Sequence, residues 1–429
     1  MSTDLSSEGV PPAATRASSQ EALGSARIRE ALLIVGASIG LFAGFAPLYF
    51  GTISIFLAPI SEEFGWGRAQ TSGVGVLSML GLAFGSLVVG RCIDIFGEIK
   101  VIGLSVLVMA ILIAIQSQSV NSPIIFAILS LCIGVAGAGT TPPGYVSVIA
   151  KSLNNRLGLA LGLVGVGMGL GTVTMPLLAE IFISKFGWRS AYLFLAAVAT
   201  TAGILACLLV NASRNNLTGE RPVNIAAARR LNATELVSVL RDFRYWLLIG
   251  VALLVSVAAL GMSVHFVSLM TDAGVSKEYA ARGVALSGVG VIFGRLLSGY
   301  LIDIVEARTV ASITFVIAAI GAIQMSGAFN ATLFYFAIAG VFLGFALGAE
   351  GDFLPFLIKS YFGNSYFGVL YGILFFVHAI GGVVGPILFG LSFDMLGSYK
   401  YALFCASGML CTASIFVLLL GKKNSFAVH

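Results

Sequence analysis

Two stretches of the chain share one spacing of glycine and aspartate: GLAFGSLVVGRCID at residues 81–94 and GVIFGRLLSGYLID at residues 290–303. The positions that match at a shift of 209 residues are Gly85 with Gly294, Gly90 with Gly299, and Asp94 with Asp303. Glycine is common here, at 52 residues, so the comparison depends on the shared order and on the aspartate. The pattern predicts two copies of one structural unit.

The segments around these stretches are too apolar for a soluble protein. Of the 429 residues, 58% are hydrophobic and 10% are charged, and the mean hydropathy is +1.01, whereas about a quarter of the residues of a soluble domain are charged. A membrane-spanning helix needs about 20 apolar residues, and its backbone groups must pair within the helix. Twelve such segments are centred near residues 44, 81, 108, 136, 170, 199, 258, 291, 317, 346, 379 and 410. The sequence therefore predicts an all-α membrane protein with 12 transmembrane helices.

A second region repeats at almost the same shift and supports two six-helix halves. The matches at 210 residues are Gly158, Gly162, Gly171, Pro176 and Gly187 with Gly368, Gly372, Gly381, Pro386 and Gly397. Parallel halves related by an axis along the membrane normal form one class of transporter fold. The predicted organisation is a disordered cytoplasmic tail (1–28), an N-terminal half (29–210), a polar cytoplasmic linker (211–242), a C-terminal half (243–421) and a cytoplasmic tail (422–429).

The basic residues predict how the chain lies in the membrane. Of the 24 Lys and Arg residues, 17 fall on the side of the N-terminus, six fall on the other side, and Arg295 alone lies inside a span. Cytoplasmic loops carry the excess of Lys and Arg, so we expect both termini in the cytoplasm and the protein in a cell membrane, a bacterial inner membrane. The net charge of +5 then reflects topology, and no nucleic-acid partner is expected.

Residues that bind metals or cofactors are sparse. The five cysteines form no CxxC pair, and the three histidines, His265, His378 and His429, form no HExxH motif. The glycine runs lack the GKS or GKT of a phosphate-binding loop. We therefore expect no metal, no cofactor and no catalytic residue, and these absences disfavour an intramembrane enzyme or receptor.

Two motifs resemble those of the major facilitator superfamily. GRCIDIFGEIK at residues 90–100 is similar to its motif between the second and third helices, and GWRSAY at residues 187–192 is similar to its signature before the sixth. The first motif departs from the family pattern, because Ile95 and Glu98 stand where basic residues are usual. The resemblance implies that Asp94 is a cytoplasmic gate residue that acts on conformational switching. The repeat extends this role to Asp303.

Three longer stretches resemble the oxalate/formate antiporter and monocarboxylate transporter branch of that superfamily. They are EEFGWGRAQTS (62–72), KSLNNRLGLALGLVGVGMGLG (151–171) and YFGNSYFGVLYGILFFVHAIGGVVGP (361–386). The resemblance implies a secondary active transporter, expected to be a monomer in membrane lipid, that moves a small organic anion by alternating access. We expect a monocarboxylate, with proton coupling as an option. The alternative is an exporter or facilitator of a drug or neutral metabolite.

Arg295 lies at the centre of the predicted eighth span, where an arginine costs about 2.5 to 3.5 kcal/mol. Its helical face carries Gly288, Val291 and Gly299 and the opposite face is large and apolar, so we expect it to point inward. A guanidinium offers a planar fork that matches a carboxylate, and the branch resemblance carries a substrate-binding arginine onto this position. The alternative is a structural ion pair with an acidic residue of the fifth or tenth span.

His378 lies near the middle of the predicted eleventh span, on the same helical face as Tyr371. A lysine occupies this place in the antiporters of the branch, so the resemblance implies a second substrate-binding position, and Tyr371 joins it as a candidate. A histidine can titrate near neutral pH, which favours a monoanion over a dicarboxylate. The alternative is a hydrogen-bonded histidine that packs between helices.

Glu350 and Asp352 lie past the midpoint of the predicted tenth span. They are 200° apart on an ideal helix, so at most one is expected to face a central cavity unless Gly351 and Pro355 break the geometry. Either one of them carries a coupling proton or both belong to the gate. The aspartate that mammalian-type monocarboxylate carriers place one turn before the arginine is Val291 here, so proton coupling must use another group.

Aromatic residues of the first and fourth spans are candidates for the apolar wall of a substrate site. They are Phe45 and Tyr49, in a helix that Pro47 is expected to bend, and Tyr145, which follows two prolines. Contact with lipid or with the protein core is the alternative for each of them.

Overall fold

The computed structural model describes residues 13–66, 68–119, 122–217, 233–272, 274–326 and 333–421. Within these ranges the chain is helical, with short turns between helices and no β-strand. The helices of the N-terminal half are α1 (Ala13–Phe42), α2 (Phe45–Leu48), α3 (Ile53–Phe64), α4 (Arg68–Phe96), α5 (Glu98–Ser117), α6 (Pro123–Gly137), α7 (Pro142–Ser152) and α8 (Leu157–Leu217). Those that follow are α9 (Ala233–Arg241), α10 (Phe243–Asp272), α11 (Lys277–Ile304), α12 (Ala307–Met325), α13 (Leu333–Phe362), α14 (Phe367–Leu396) and α15 (Lys400–Leu419).

Helix α8 contains two membrane crossings. It is 61 residues long, which at 1.5 Å per residue is about three times the thickness of the hydrocarbon core. Its helical geometry breaks at Gly187, whose φ of 78° lies in the left-handed region that glycine adopts without strain. Eleven helices in the described ranges are long and apolar enough to cross a membrane. Dividing α8 at Gly187 gives the 12 crossings that the sequence predicts.

The first crossing is broken after α1. Proline has no N–H to donate to the residue four positions before it, so Pro47 leaves the carbonyl of Ala43 without its helical partner. The helix stops at Phe42, and the short α2 and a 3-10 turn at Phe50–Thr52 follow. The bend that Pro47 is expected to cause therefore occurs one turn earlier in the chain.

The ends of the halves differ in part from the sequence-based expectation. Helix α1 begins at Ala13, inside the tail predicted to be disordered, where Ala, Glu, Gln and Arg favour helix. Helix α8 runs to Leu217 and α9 lies inside the predicted linker. The remaining parts of the predicted tails and linker, residues 1–12, 218–232 and 422–429, lie outside the described residues.

Two helix pairs join the halves: α4 packs along α14, and α8 packs along α11. A side chain on Gly90 would run into the backbone of Gly368, and one on Gly158 would run into that of Gly299. We call these two crossings the glycine seams, and the sequence repeat relates one to the other. Small residues let helices approach closely in membranes, where packing drives their association.

Helix α11 presents opposite faces to protein and to the outside. Phe293 is 59% exposed and Ile304 is 61% exposed, whereas Arg295 is 6% exposed. This is the orientation that the helical wheel predicts. Arg295 therefore points into the protein, beside the seam between α8 and α11.

Candidate functional site

Arg295 forms a buried ion pair at the boundary between the halves. Its Nη1 donates to Asp352 Oδ1 of α13 at 3.2 Å, and the Asp352 side chain is 1% exposed. On the other side lies α8 of the N-terminal half, where a side chain on Gly165 would occupy the place of the guanidinium. The absence of side chains at Gly165 and Gly351 leaves room for the Arg295 head group.

The Arg295–Asp352 pair uses only part of its hydrogen-bonding capacity. Arg295 Nε and Asp352 Oδ2 are both buried and have no hydrogen-bond partner in the structure. A buried polar group without a partner costs about 1 to 3 kcal/mol, and more when it is charged. Such groups in a native protein call for an explanation, of which a role in binding is one.

A second pair of ionisable residues lies beside the first. His378 Nδ1 of α14 is 3.1 Å from Glu350 Oε1 of α13. The Glu350 side chain is 2% exposed and that of His378 is 26% exposed, and the imidazole stacks on Phe375 with ring centroids 5.6 Å apart. The charge of Arg295 also acts on the His378 ring. We call Arg295, Asp352, Glu350 and His378 the central charge cluster.

Both acids of α13 take part in this cluster, although they lie 200° apart on an ideal helix. Helix α13 packs against α11 on one side and α14 on another. Side chains 200° apart therefore both meet protein, Asp352 toward α11 and Glu350 toward α14. Asp352 pairs with Arg295, which is the ion pair with an acidic residue of the tenth span that the sequence leaves open as an alternative. In the described ranges, no group of three or more His, Cys, Asp or Glu side chains is placed to hold a metal ion.

Asp94 and Asp303 bind the ends of helices across the interface between the halves. Asp94 accepts hydrogen bonds from the backbone N–H groups of Gly368, at 3.1 Å, and Val369, at 2.8 Å, at the start of α14. Asp303 accepts in the same way from Gly158 and Leu159, at 2.8 and 2.9 Å, at the start of α8. A carboxylate at a helix N-terminus satisfies unpaired N–H groups and meets the positive end of the helix dipole. We call these the Asp94 latch and the Asp303 latch, and they close this end of the molecule.

Lysines add to the contacts at this end, and sequence reasoning missed their role. Lys151 Nζ of α7 lies 3.0 Å from Asp94 and 3.0 Å from the buried Glu98. Lys359 of α13 donates to the carbonyls of Ala150 and Leu153, at 2.5 Å each, where α7 ends. The departure of Glu98 from the family pattern was the available signal, since a buried acid requires a cation nearby.

The structure does not bring the aromatic candidates of the first span to the central charge cluster. Tyr49 is buried inside the N-terminal half, where its hydroxyl donates to Gln116 Oε1 at 2.8 Å and lies 2.9 Å from Ser130 Oγ. Phe45 is buried beside it, with ring centroids 5.8 Å apart. The contacts assign both residues to the core of that half.

The other two aromatic candidates lie in the core that joins the halves. Tyr145 of α7 is buried against Gly40 of α1, and its hydroxyl has no hydrogen-bond partner in the structure. Tyr371 of α14 is buried 6.4 Å from Phe375 between ring centroids, and the charges of the central charge cluster act on it. Of the aromatic candidates, Tyr371 is therefore the one that accompanies the cluster.

At the end opposite the latches, each half is closed by a clamp that follows a left-handed glycine. Arg189, two residues after Gly187, binds Glu63 at 2.5 Å, and Trp188 Nε1 donates to the same carboxylate at 2.6 Å. The hydrogen bonds from Arg189 and then Trp188 hold the pKa of Glu63 below its usual value. We call this the Glu63 clamp.

The corresponding contact of the C-terminal half is uncharged. Tyr399 follows Gly397 by two residues, and its hydroxyl lies 3.2 Å from Nδ1 of His265. Nε2 of His265 lies 3.0 Å from the Pro386 carbonyl. A neutral imidazole satisfies both contacts, with Nε2–H as donor and Nδ1 as acceptor. His265 therefore has a packing role.

The amino-acid sequence is similar to those of known transporters. The chain is 24% identical over 393 residues to monocarboxylate transporter 4 of Mus musculus, covering 89% of this chain and 81% of that protein. It is 25% identical over 416 residues to a gallate transporter of Pseudomonas putida, covering 86% and 89%.

Solved structures share the fold at low identity. The E. coli fucose:proton symporter superposes with a TM-score of 0.68 at 15% identity, over 93% of this chain and 100% of that one. The human organic anion transporter TETRAN superposes with a TM-score of 0.67 at 14% identity, over 91% and 99%. The sequence pattern of the Major Facilitator Superfamily matches residues 33–386, so the chain belongs to this superfamily and is a transporter, not an enzyme.

Proposed function

We propose that the protein is a secondary transporter for a small organic anion, a monocarboxylate, and that Arg295 binds the substrate carboxylate. The observation that carries this proposal is the incomplete Arg295–Asp352 pair. It leaves a buried, permanently charged fork with an unpaired Nε at the boundary between two halves that must separate during alternating access.

The chemistry of the pair suits exchange of one carboxylate for another. Asp352 holds Arg295 through one hydrogen bond of 3.2 Å, whereas a guanidinium binds a free carboxylate through two parallel bonds. A substrate that approaches between α8 and α11 gains the second bond. The cluster has one guanidinium fork, that of Arg295, so it matches a substrate with one carboxylate. Monocarboxylates and gallate, the solutes in the names of the two relatives, each carry one.

The proposed orientation of the protein in the membrane rests on the distribution of its Lys and Arg residues. With both termini in the cytoplasm, the Asp94 and Asp303 latches lie at the cytoplasmic ends of their helices, and the structure is closed on that side. The protein acts as a monomer in the lipid of a bacterial inner membrane. Opening of the latches then exposes Arg295 to the cytoplasm.

Uptake into proteoliposomes tests the proposal. Radiolabelled acetate, pyruvate, benzoate and oxalate are presented to the wild type and to Arg295→Gln. We expect uptake of at least one monocarboxylate by the wild type and none by the variant, with both proteins present in equal amount. Arg27→Gln, which removes an exposed arginine of α1, is the matched control and keeps uptake. Equal uptake by wild type and Arg295→Gln would contradict the proposal.

A second candidate function is supported by the ion pair itself. If Arg295 and Asp352 only stabilise the fold, the protein carries a drug or a neutral metabolite. In that case Arg295→Gln leaves Asp352 as an unpaired buried charge, which is strongly destabilising, and the protein fails to accumulate. The double variant with Asp352→Asn then restores both its amount and its transport. If the protein is an anion transporter, the double variant regains its normal amount in the membrane but not its transport activity.

A further inference from the structure

The Glu350–His378 pair is a second ionisable site in the membrane, and substrate binding by Arg295 does not require it. It lies at the interface of α13 and α14, while Arg295 and Asp352 lie at that of α11 and α13. Burying a carboxylate costs several kcal/mol unless it is paired. The contact with His378 compensates Glu350 fully only when the imidazole carries a proton.

The charges of the central charge cluster determine what it can bind. With His378 neutral, Arg295 contributes one positive charge against the two carboxylates, so the cluster carries a net negative charge. An anion entering this cluster meets repulsion. A proton on His378 brings the cluster to zero, so a proton and a monoanion together leave its net charge as it was.

The two members of the pair differ in exposure. The Glu350 side chain is 2% exposed, whereas that of His378 is 26% exposed. Nδ1 of His378 faces Glu350. His378 is therefore the more accessible member of the pair for a proton, and the acid stays buried.

The groups that face His378 come from several helices. Glu350 on α13 is in contact, and Arg295 on α11 acts on the ring at longer range. On α14 itself, Tyr371 lies two turns away. Asp94 of α4 and His265 of α10 are held elsewhere, Asp94 by Gly368 and Val369, and His265 by Pro386 and Tyr399. Glu350 is thus the acid that sets the charge of His378.

We propose that the Glu350–His378 pair is the proton-binding site that couples anion transport to a proton gradient. This inference rests on the proposed function. The imidazole gains one N–H bond from a proton of the aqueous phase, and no other bond changes. Because each ligand offsets the charge of the other, binding of the two is mutually favourable, by about 5- to 150-fold for typical coupled sites. The coupling is symport, since proton and anion occupy the protein together.

Two transport modes in proteoliposomes test the assignment, with radiolabelled pyruvate and benzoate as probes. One is accumulation driven by an imposed pH gradient, acid outside, and the other is counterflow into preloaded vesicles without a gradient. We expect the wild type to perform both. Glu350→Gln keeps counterflow, because Arg295 is intact and the cluster is neutral without a proton, but it loses the accumulation that the gradient drives. His378→Gln also loses this accumulation, and its counterflow is weakened, because the charge of Glu350 is then uncompensated. His265→Gln, a matched histidine outside the cluster, keeps both.

Three outcomes overturn the proposal. If His378→Gln still accumulates the probe on the gradient, the proton binds elsewhere. If Glu350→Gln loses counterflow at a normal protein level, the pair belongs to the substrate site. If the wild type performs counterflow but ignores the gradient, the transporter is not proton-coupled. A failure of the proposed function differs from all three, because Arg295→Gln then retains counterflow.

Discussion

The two halves share a frame but carry different chemistry at equivalent positions. Arg295 corresponds, at the shift of 209 residues, to Ser86, and both lie beside a glycine seam. Ser86 donates to the Ala83 carbonyl at 2.7 Å and the Gly372 carbonyl at 3.0 Å, so it is satisfied by the backbone around it. Arg295 is not. The comparison teaches that the repeat specifies how helices approach, while single substitutions within it decide where charge is placed.

The buried polar networks of the halves differ in the same sense. In the N-terminal half, Tyr49, Gln116 and Ser130 form a neutral network with contacts of 2.8 to 2.9 Å. In the C-terminal half, the central charge cluster occupies the interior. A neutral network stabilises without changing its state, whereas an ionisable one can exchange ligands and protons. We therefore expect substitutions in the C-terminal network to change transport and those in the N-terminal network to change mainly stability.

Arg295→Lys is the sharpest test of this comparison and has the largest expected effect. Lysine keeps the charge and loses the planar fork. Loss of one hydrogen bond to a charged group costs about 1.5 to 3 kcal/mol, which is a loss of anion affinity of about 10- to 150-fold. Binding of the transported monocarboxylate to purified protein measures it. Ser86→Ala, at the equivalent position, is the control and should bind normally. An equal loss in both variants would remove the distinction between the halves.

Substitutions in the Asp94 and Asp303 latches have the next largest expected effect on transport. Asp94→Asn and Asp303→Asn each weaken two hydrogen bonds to a helix N-terminus, a change of about 0.5 to 2 kcal/mol or about 2- to 30-fold in the closing equilibrium. We expect slower transport, with the ranking of competing substrates unchanged. The effect of Asp94→Asn should be the larger, because Asp94 also pairs with Lys151. Initial rates and competition by unlabelled carboxylates measure both quantities. A changed ranking would place Asp94 in the substrate site, and no effect would make it a solvated helix end.

Tyr49→Phe should lower stability and leave transport nearly unaltered. It removes the hydroxyl that contacts Gln116 and Ser130, at a cost of about 0.5 to 1.5 kcal/mol for a lost hydrogen bond. Thermal unfolding of the purified protein measures the loss. Tyr145→Phe is a matched control, because the Tyr145 hydroxyl has no partner in the structure. A loss of anion binding in Tyr49→Phe would return Tyr49 to the substrate site.

The Glu63 clamp gives the smallest effect, with a defined dependence on pH. Because the folded-state pKa of Glu63 is lowered, its contribution to stability is present above the unfolded pKa, near about 4.3, and is lost as pH falls through the folded pKa. Wild type and Glu63→Gln should therefore differ slightly in thermal stability at neutral pH and converge in acid. Glu62→Gln, at the exposed neighbour, should match the wild type throughout. If the difference in thermal stability between wild type and Glu63→Gln persists in acid, the negative charge of Glu63 does not contribute to the stability of the clamp.

The features that depend on one segment at a time could be predicted from the sequence. Hydropathy gave the twelve crossings, and the helical wheel gave the inward direction of Arg295. The sequence offered the tenth span as one source of a partner for Arg295. It could not select Asp352 over Glu350, because that choice depends on the rotation of α13 against α11. The Lys151 contacts join three helices and were missed for the same reason. The sequence predicted a bend at Pro47. The break lies one turn earlier, at Ala43, whose carbonyl has no N–H of Pro47 to accept from.

The glycine seams have a mechanical consequence. Where side chains interlock, two helices can separate only if rotamers change and packed volume is lost. At Gly90 with Gly368, and at Gly158 with Gly299, backbone meets backbone. At these two crossings, one half can therefore rotate against the other without a change of side-chain rotamers. Much of the resistance to the movement then resides in polar contacts at the ends of the seams, where the two carboxylates hold four N–H groups and Lys359 holds the carbonyls at the end of α7.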